Sequence, residues 1–293
     1  MPASIIVNLN TGATMPTVGL GTWKAEPNKA EHAVEFAIKN GYRHIDTAAQ
    51  YGNEADVGKG IKNSGVPREQ IFLTTKLDNP DHGNEVEALE TSLKKLDTPY
   101  IDLWLMHWPA PLKDGKVDES RDWLDTWKAM EDIFLAHPER VKAIGVSNFS
   151  VKYLERLLPV ARIVPAVNQI EIHPSCPQAD IVGFCQARGI ILTAYSPQGS
   201  DDSPLRENDV VKRISHNHYV QPANILISFA ANISGTAVIP KSVHESRIVN
   251  NLKTVDLSGA EIQALFEIHK TGSFRVANPV KMGWGSLGFP DLE

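Results

Sequence analysis

Cysteine is scarce in this chain: Cys176 and Cys185 are the only two. Two thiols cannot build the disulfide framework of a small secreted domain, and their spacing matches no zinc motif. No apolar run is long enough to cross a bilayer, and the first residues lack the basic and apolar stretches of a signal peptide. The expected location is cytoplasmic, with no membrane partner. A basic excess is also missing. The net charge of −6 argues against nucleic acid or an anionic membrane as partner, so an anionic ligand would need a local cluster of cations. There is no internal repeat and no low-complexity linker. No Gly-x-Gly-x-x-Gly joins a strand to a helix, so a Rossmann dinucleotide site is not supported.

What is present has ordinary globular composition, 42% hydrophobic and 22% charged over 293 residues. Barrels of alternating strands and helices reach this length as one domain. Residues 4–8 and 13–15, around Asn10-Thr11-Gly12, predict a hairpin. Strands are then expected at 18–21, 43–46, 71–75, 101–107, 141–146, 165–170, 190–194 and 237–240. Helices are expected at 28–40, 53–63, 84–96, 123–136, 150–158, 177–188, 222–232 and 244–251, with a final one at 258–270. The runs at 71–75 and 101–107 are short and largely apolar, as strands buried on both faces should be. Such alternation implies a parallel sheet covered by helices, and eight strands favour closure. The fold predicted for 1–293 is a single-domain α/β structure, a (β/α)8 TIM barrel with an N-terminal β-hairpin. Long loops at 109–121 and 198–207 would lie on its C-terminal face, beside a tail (272–293) that carries Trp284 and Phe289. Long loops in that position are expected to act as lids.

The ends of the predicted strands carry the chemistry. The second ends at Asp46 with Tyr51 five residues on, the third at Lys76 and the fourth at His107. The fifth gives Ser147 and Asn148, the sixth Gln169 and Glu171, the seventh Tyr195 and Ser196, the eighth Lys241 and Ser242. In a barrel those ends converge on one face, where active sites sit. One buried Lys or Asp is most often half of a structural ion pair. Many ionisable and amide side chains at one mouth are harder to explain as packing.

Three stretches extend the argument: Gly41-Tyr-Arg-His-Ile-Asp46-Thr-Ala, Gly145-Val-Ser-Asn148-Phe and Ile239-Pro-Lys241-Ser. In order and spacing they resemble the signatures of the aldo-keto reductases, and the resemblance covers essentially the whole chain. It implies a catalytic tetrad at Asp46, Tyr51, Lys76 and His107, and NADPH as cofactor, extended across the barrel mouth. Ser147, Asn148 and Gln169 would hold the nicotinamide amide, and Tyr195 would stack on its ring. Gly21, Thr22, Trp23, Ser196, Pro197 and Gln198 would add contacts. Lys241, Ser242 and Arg247 would hold an adenosine 2′-phosphate where the last strand turns into a helix, a place that favours phosphate; this is why NADPH is expected over NADH. Asn251 matches the adenine contact, while Asn250 stands where the family often has Glu. Trp23, His107, Trp108 and Trp123 would line the substrate pocket, with Trp127 given to packing. Asp78, where many members have an aromatic, would make the pocket edge polar and favour hydroxylated aldehydes such as glyceraldehyde or aldoses. The tail (Arg275, Asn278, Trp284) resembles fungal and yeast members and would close over substrate. A monomer or weak homodimer is implied.

The implied chemistry makes physical sense. Reducing a carbonyl sends hydride to carbon and a proton to oxygen, and Tyr51 would be the general acid, or the general base in the reverse direction. A lysine ammonium about 4 Å from a phenol would stabilise phenolate by up to roughly 4 kcal/mol at intermediate dielectric. That equals up to about three pKa units, lessened by the Asp46 charge that keeps Lys76 protonated. His107 would orient the carbonyl. Two other functions are compatible with parts of the pattern. A metal-dependent hydrolase using His44, Asp46 and His107 is disfavoured, because Lys76 would repel the cation and no later strand adds a complementary cluster. A non-catalytic NADPH-binding sensor or channel-associated subunit would keep the cofactor site, but the intact tetrad argues against it.

Overall fold

The short apolar runs do become strands, and the amphipathic segments between them become helices. The computed structural model describes residues 6–26 and 28–293. The chain begins with an antiparallel hairpin of β1 (Ile6–Asn8) and β2 (Thr14–Pro16); residues 4 and 5 of its expected first strand lie outside the described residues. Next come β3 (Leu20–Gly21), α1 (Lys29–Lys39), β4 (His44–Asp46), α2 (Glu54–Asn63), β5 (Phe72–Leu77), α3 (Glu85–Leu96) and β6 (Leu103–Met106). The loop after β6 contains a small hairpin, β7 (Leu112–Lys113) and β8 (Lys116–Val117), before α4 (Trp123–Ala136). The order continues β9 (Ile144–Ser147), α5 (Val151–Leu157), β10 (Val167–Glu171), α6 (Ala179–Gln186), β11 (Ile191–Tyr195), α7 (Asp209–Asn217), α8 (Pro222–Ala231), β12 (Thr236–Val238), α9 (Glu245–Asn251) and α10 (Gly259–Phe266).

Helix α1 shows why these segments form. It buries Ala30, Ala33, Val34, Ala37 and Ile38, the one-face spacing of a 3.6-residue period. The start of α10 is set by a capping box in which Ser258 and Glu261 satisfy each other's backbone amides. The boundaries differ from expectation by one to three residues at most ends. Three elements were not expected: the hairpin strands β7 and β8, and α7. Helix α7 has its own signal in the Asn208 cap and in buried Val211, Ile214 and Ser215, but one helix per strand leaves no place for it. The expected helix at 258–270 ends at Phe266 and finishes as a 3-10 turn, Glu267–Lys270.

Eight strands form one parallel sheet in the order β12-β11-β10-β9-β6-β5-β4-β3. The sheet curls until its edges meet. Bridges join Val18 to Val238 and Gly21 to Lys241, and the Gly19 amide donates to the Val238 carbonyl at 2.9 Å. At this seam a Cβ on Gly21 would stand 2.8 Å from the Ile239 carbonyl oxygen, so the close approach requires glycine. Every position of β5, β9 and β10 is buried, as expected of strands covered on both faces.

The two ends of this sheet are treated differently. Leu9 and Met15 from the hairpin are buried against Phe72, Leu103, Ala143 and Val167, which lie at or near strand starts. Full burial of such side chains is worth about 1.5–3 kcal/mol each, and it seals that end. The strand-finish end stays open for the long loops and the tail. Along the tail, Phe289 is buried and Ser150 Oγ donates to the Leu287 carbonyl at 2.8 Å.

Gly21→Ala should strain the seam and lower stability by about 1–3 kcal/mol. Urea denaturation checks this; an unchanged midpoint would show that the edges are free to move apart.

Candidate active site

Strands β4 and β5 pair in parallel register with Asp46 opposite Thr74, so Lys76 projects near the end of its strand, beyond Asp46. Its ammonium is fully buried and has three hydrogens to place. Each finds an acceptor: Asp46 Oδ1 at 2.6 Å, the Thr47 carbonyl at 2.8 Å and the Tyr51 hydroxyl at 3.4 Å. The other Asp46 oxygen accepts from Gln169 Nε2 at 2.7 Å. Tyr51 sits on a one-turn 3-10 helix (Ala49–Tyr51), and its ring meets His107 edge-on with centroids 5.7 Å apart. The four tetrad residues are therefore brought together, with His107 supplied by the residue after β6.

Electrostatics correct one expectation. Burial, and then the negative charge of Asp46, pushes the Tyr51 phenol well above its ordinary value rather than below it. The lysine charge is spent on Asp46, which is closer to it than the phenol, and so does little to favour phenolate. Burial also lowers the Lys76 ammonium, against the pull of Asp46. The His107 imidazole lies well below its usual value through burial and then the Lys76 charge, so it is neutral near pH 7. Its Nδ1 is buried without a partner among the described residues.

A cleft of about 680 Å3 opens over this group, in the size range of small-molecule sites. Ser147, Asn148 and Gln169 line it and are knitted together. Ser147 Oγ donates to the Gln169 carbonyl at 2.8 Å, and Asn148 Nδ2 donates to the His107 carbonyl at 3.0 Å. Asn148 Oδ1 accepts from the Tyr195 hydroxyl at 2.7 Å. Asn148 has φ 63, a backbone conformation asparagine tolerates better than most residues, and so it turns off β9 with its amide facing inward. Gly21, Thr22, Trp23, Ser196, Pro197 and Gln198 line the cleft, as do Lys241, Ser242, Arg247 and Asn251. Lys241 and Arg247 are exposed and make no ion pair among the described residues. Asn250 bonds Asn224 and Gln221 at 3.0 and 3.1 Å.

Three expectations about the pocket change. Trp123 does not line the cleft; it is buried against Phe149 and Tyr153, an apolar niche on the helical side of the sheet. Asp78 caps the turn Asn79–Asp81 by accepting the Asn79 amide at 2.8 Å and also lies off the cleft. In the tail, Arg275 pairs with Asp291 and Trp284 packs on Trp108 at 5.4 Å, whereas Val276, Ala277 and Met282 reach the cleft. Sequence reasoning missed those three, together with Lys24, Gln50 and Gln221, because nothing local marks a loop residue as facing a particular strand end. Trp127 is a core residue bonded to Glu131. His44 bonds the Pro16 carbonyl at 3.0 Å, and no three His, Cys, Asp or Glu among the described residues are grouped to hold a metal ion. No helix among the described residues is long and apolar enough to cross a membrane.

An acid, a base and an imidazole at the floor of a cleft, below a cationic rim, define a proton-handling centre on a curled α/β sheet. Known proteins agree on the kind. The family model for the aldo/keto reductase family matches residues 17–270, and the chain belongs to that family. It is 42% identical to the aldehyde reductase YPR1 of Saccharomyces cerevisiae, over 97% of this chain and 96% of that one. It is 44% identical to a glycerol 2-dehydrogenase (NADP(+)) of the same yeast, over 95% and 97%. A Bombyx mori aldo-keto reductase solved in complex with NADP superposes with TM-score 0.88 at 35% identity, covering 96% of this chain and 97% of that one. Membership places the chain among oxidoreductases.

Lys76→Met would leave the buried Asp46 carboxylate without its counter-charge. A loss of about 3–5 kcal/mol in unfolding free energy is expected, read by chemical denaturation; a loss below about 1 kcal/mol, the value of an exposed pair, would show that the pair is solvated.

Proposed function

We propose that this chain reduces aldehydes and ketones to alcohols with NADPH, reversibly, on a single-domain (β/α)8 barrel. The observation that carries the reading is the Tyr51 hydroxyl, 3.4 Å from Lys76 Nζ and edge-on to His107, on the floor of a cleft rimmed by Lys241 and Arg247. The residues present fit the cofactor: carboxamide and hydroxyl groups cluster at one end of the cleft and unpaired cations stand at the other. When bound, the reduced nicotinamide supplies the hydride to the carbonyl carbon.

The protein's share is the proton and the placement. Tyr51 gives its hydroxyl proton to the carbonyl oxygen as charge develops there. Its high pKa keeps that proton on the phenol across the neutral range, and an alkoxide is a stronger base still, so the transfer runs downhill. Lys76, fixed by Asp46 and Thr47, donates to the Tyr51 oxygen and so holds the phenol in place for the transfer. Neutral His107 lends an N–H to the carbonyl oxygen and orients it. Ser147, Asn148 and Gln169 would hold the carboxamide, Tyr195 would flank the ring, and Lys241, Ser242 and Arg247 would take the 2′-phosphate. Trp23 and Trp108 would wall the substrate. With Asp78 committed to its turn, Gln50, an exposed side chain on the cleft next to Tyr51 in the chain, supplies a polar group there. Small hydroxylated aldehydes are the substrate class this favours, in keeping with relatives named for aldehydes and glycerol.

Tyr51→Phe should lower turnover by about 10²–10⁴ while NADPH still binds; NADPH oxidation followed by absorbance, with glyceraldehyde, an aldose and an aromatic aldehyde, tests it, and retained turnover would overturn the assignment. Arg247→Ala should weaken NADPH far more than NADH, and equal weakening would remove the 2′-phosphate role. The pH profile carries its own sign. Tyr51 is raised above 10 and His107 lowered below 6.5, so neither gains or loses its proton between those values. The kcat/KM for reduction should show no inflection from either group in that window, and a descending limb near pH 8 that disappears in Tyr51→Phe would contradict this.

A further inference from the structure

Two residues beyond Gln169, β10 ends on a buried carboxylate that the proton chemistry does not use. Glu171 is fully buried and meets three donors. Its Oε1 accepts the Val276 amide at 2.7 Å and faces His173 Nε2 at 2.8 Å, and its Oε2 accepts the Ala277 amide at 2.8 Å. His173 is itself buried, stacks on Phe274 with centroids 4.8 Å apart, and has no partner for Nδ1 among the described residues. With no acceptor at Nδ1, the proton of a neutral ring sits on Nε2, pointing at the carboxylate. Gln178 braces the same corner: Nε2 donates to the Glu171 carbonyl at 2.5 Å, and Oε1 accepts from Arg275 at 3.1 Å.

The tail that these bonds hold has no strand and only turns after Lys270 until a 3-10 turn at Pro290–Leu292. It has few backbone hydrogen bonds of its own, so its path depends on what it docks against. Val276 and Ala277 are docked on Glu171, and both line the cleft. Burying a carboxylate is expensive unless donors surround it, and bonds to a charged acceptor are roughly twice as strong as neutral ones.

We propose that Glu171 is a positioning residue for the substrate: by clamping the Val276 and Ala277 amides it fixes the tail's portion of the cleft wall. It thereby sets which carbonyl compounds reach Tyr51. Gln169 and Glu171 make the end of β10 a shared support, one residue bracing Asp46 and the other bracing the wall. The inference rests on the reductase reading given above.

Glu171→Gln keeps the shape but offers an amide NH2 to one of the donors it must accept from. KM for a bulky aldehyde should rise about tenfold, the loss of one charge-assisted bond, with kcat within about twofold and the NADPH dissociation constant unchanged. Hydrogen exchange at the 276 and 277 amides should speed up. Ala277→Pro, which deletes one donor and leaves Glu171 intact, should reproduce the KM rise, and the effect of the double variant should fall short of the sum of the two single effects. Faster tail exchange with unchanged KM would overturn the proposal, as would an equal loss of NADPH affinity, which marks general loosening. Wild-type protein that turns over no carbonyl compound would defeat the reductase reading instead. Exchange at 276 and 277 would still judge the clamp, and unchanged protection in Glu171→Gln would defeat it.

Discussion

The pair of Lys76 and Asp46 inside the curled sheet is the constraint on which the rest of the site depends. A buried ammonium is tolerated only if its hydrogens and its charge are all answered, and here three acceptors surround it. One of the three is the Tyr51 hydroxyl. The phenol is thus located by the requirement to satisfy the lysine, and the lysine by the requirement to neutralise the aspartate. Gln169 extends the chain of dependence to the far side of the sheet by donating to the second Asp46 oxygen. Residues from β4, β5, β10 and the turn after β4 are locked to one another by polar bonds, in a place where misplacement would leave a bare charge in a dry interior.

That locking also explains why the pair does not make Tyr51 acidic. The Lys76 attraction is taken up by the carboxylate 2.6 Å away, and at the phenol the Asp46 charge adds to the effect of burial. Desolvation then governs the phenol. A proton donor that keeps its proton until an alkoxide forms suits a reaction in which the base is created during the chemical step. The same dry setting keeps His107 neutral, and able to donate from one ring nitrogen.

Function is confined to one end of the sheet by the treatment of the other. The hairpin fills the strand-start end with Leu9 and Met15, while the strand-finish end receives loops and a tail that carry little structure of their own. Asn148 ties neighbouring strand finishes together, bonding the His107 carbonyl and the Tyr195 hydroxyl, and Glu171 ties the tail to the sheet.

The alternation of apolar runs with amphipathic segments made the parallel α/β sheet legible in the sequence, because periodicity is a local property of the chain. The polar residues near strand finishes were legible for the same reason: the neighbourhood of a strand's finish can be found, to within a residue or two, without knowing its neighbours, so Asp46, Lys76, His107, Asn148 and Gln169 could be marked. Trp123 and Asp78 could not be placed that way. A tryptophan just after a loop reads the same whether it faces a cleft or Phe149, and a lone aspartate reads the same whether it faces substrate or caps a turn. Val276, Ala277 and Met282 carry no local signal at all. Two of them, Val276 and Ala277, are held at the cleft by Glu171, more than a hundred residues earlier, which accepts their amides. The sequence by itself determined which polar residues lie at or near the finish of each strand, through local pattern. Only the tertiary structure decided which groups spend their charge on each other, because burial and distance, not residue type, set the direction in which Tyr51 and His107 are shifted.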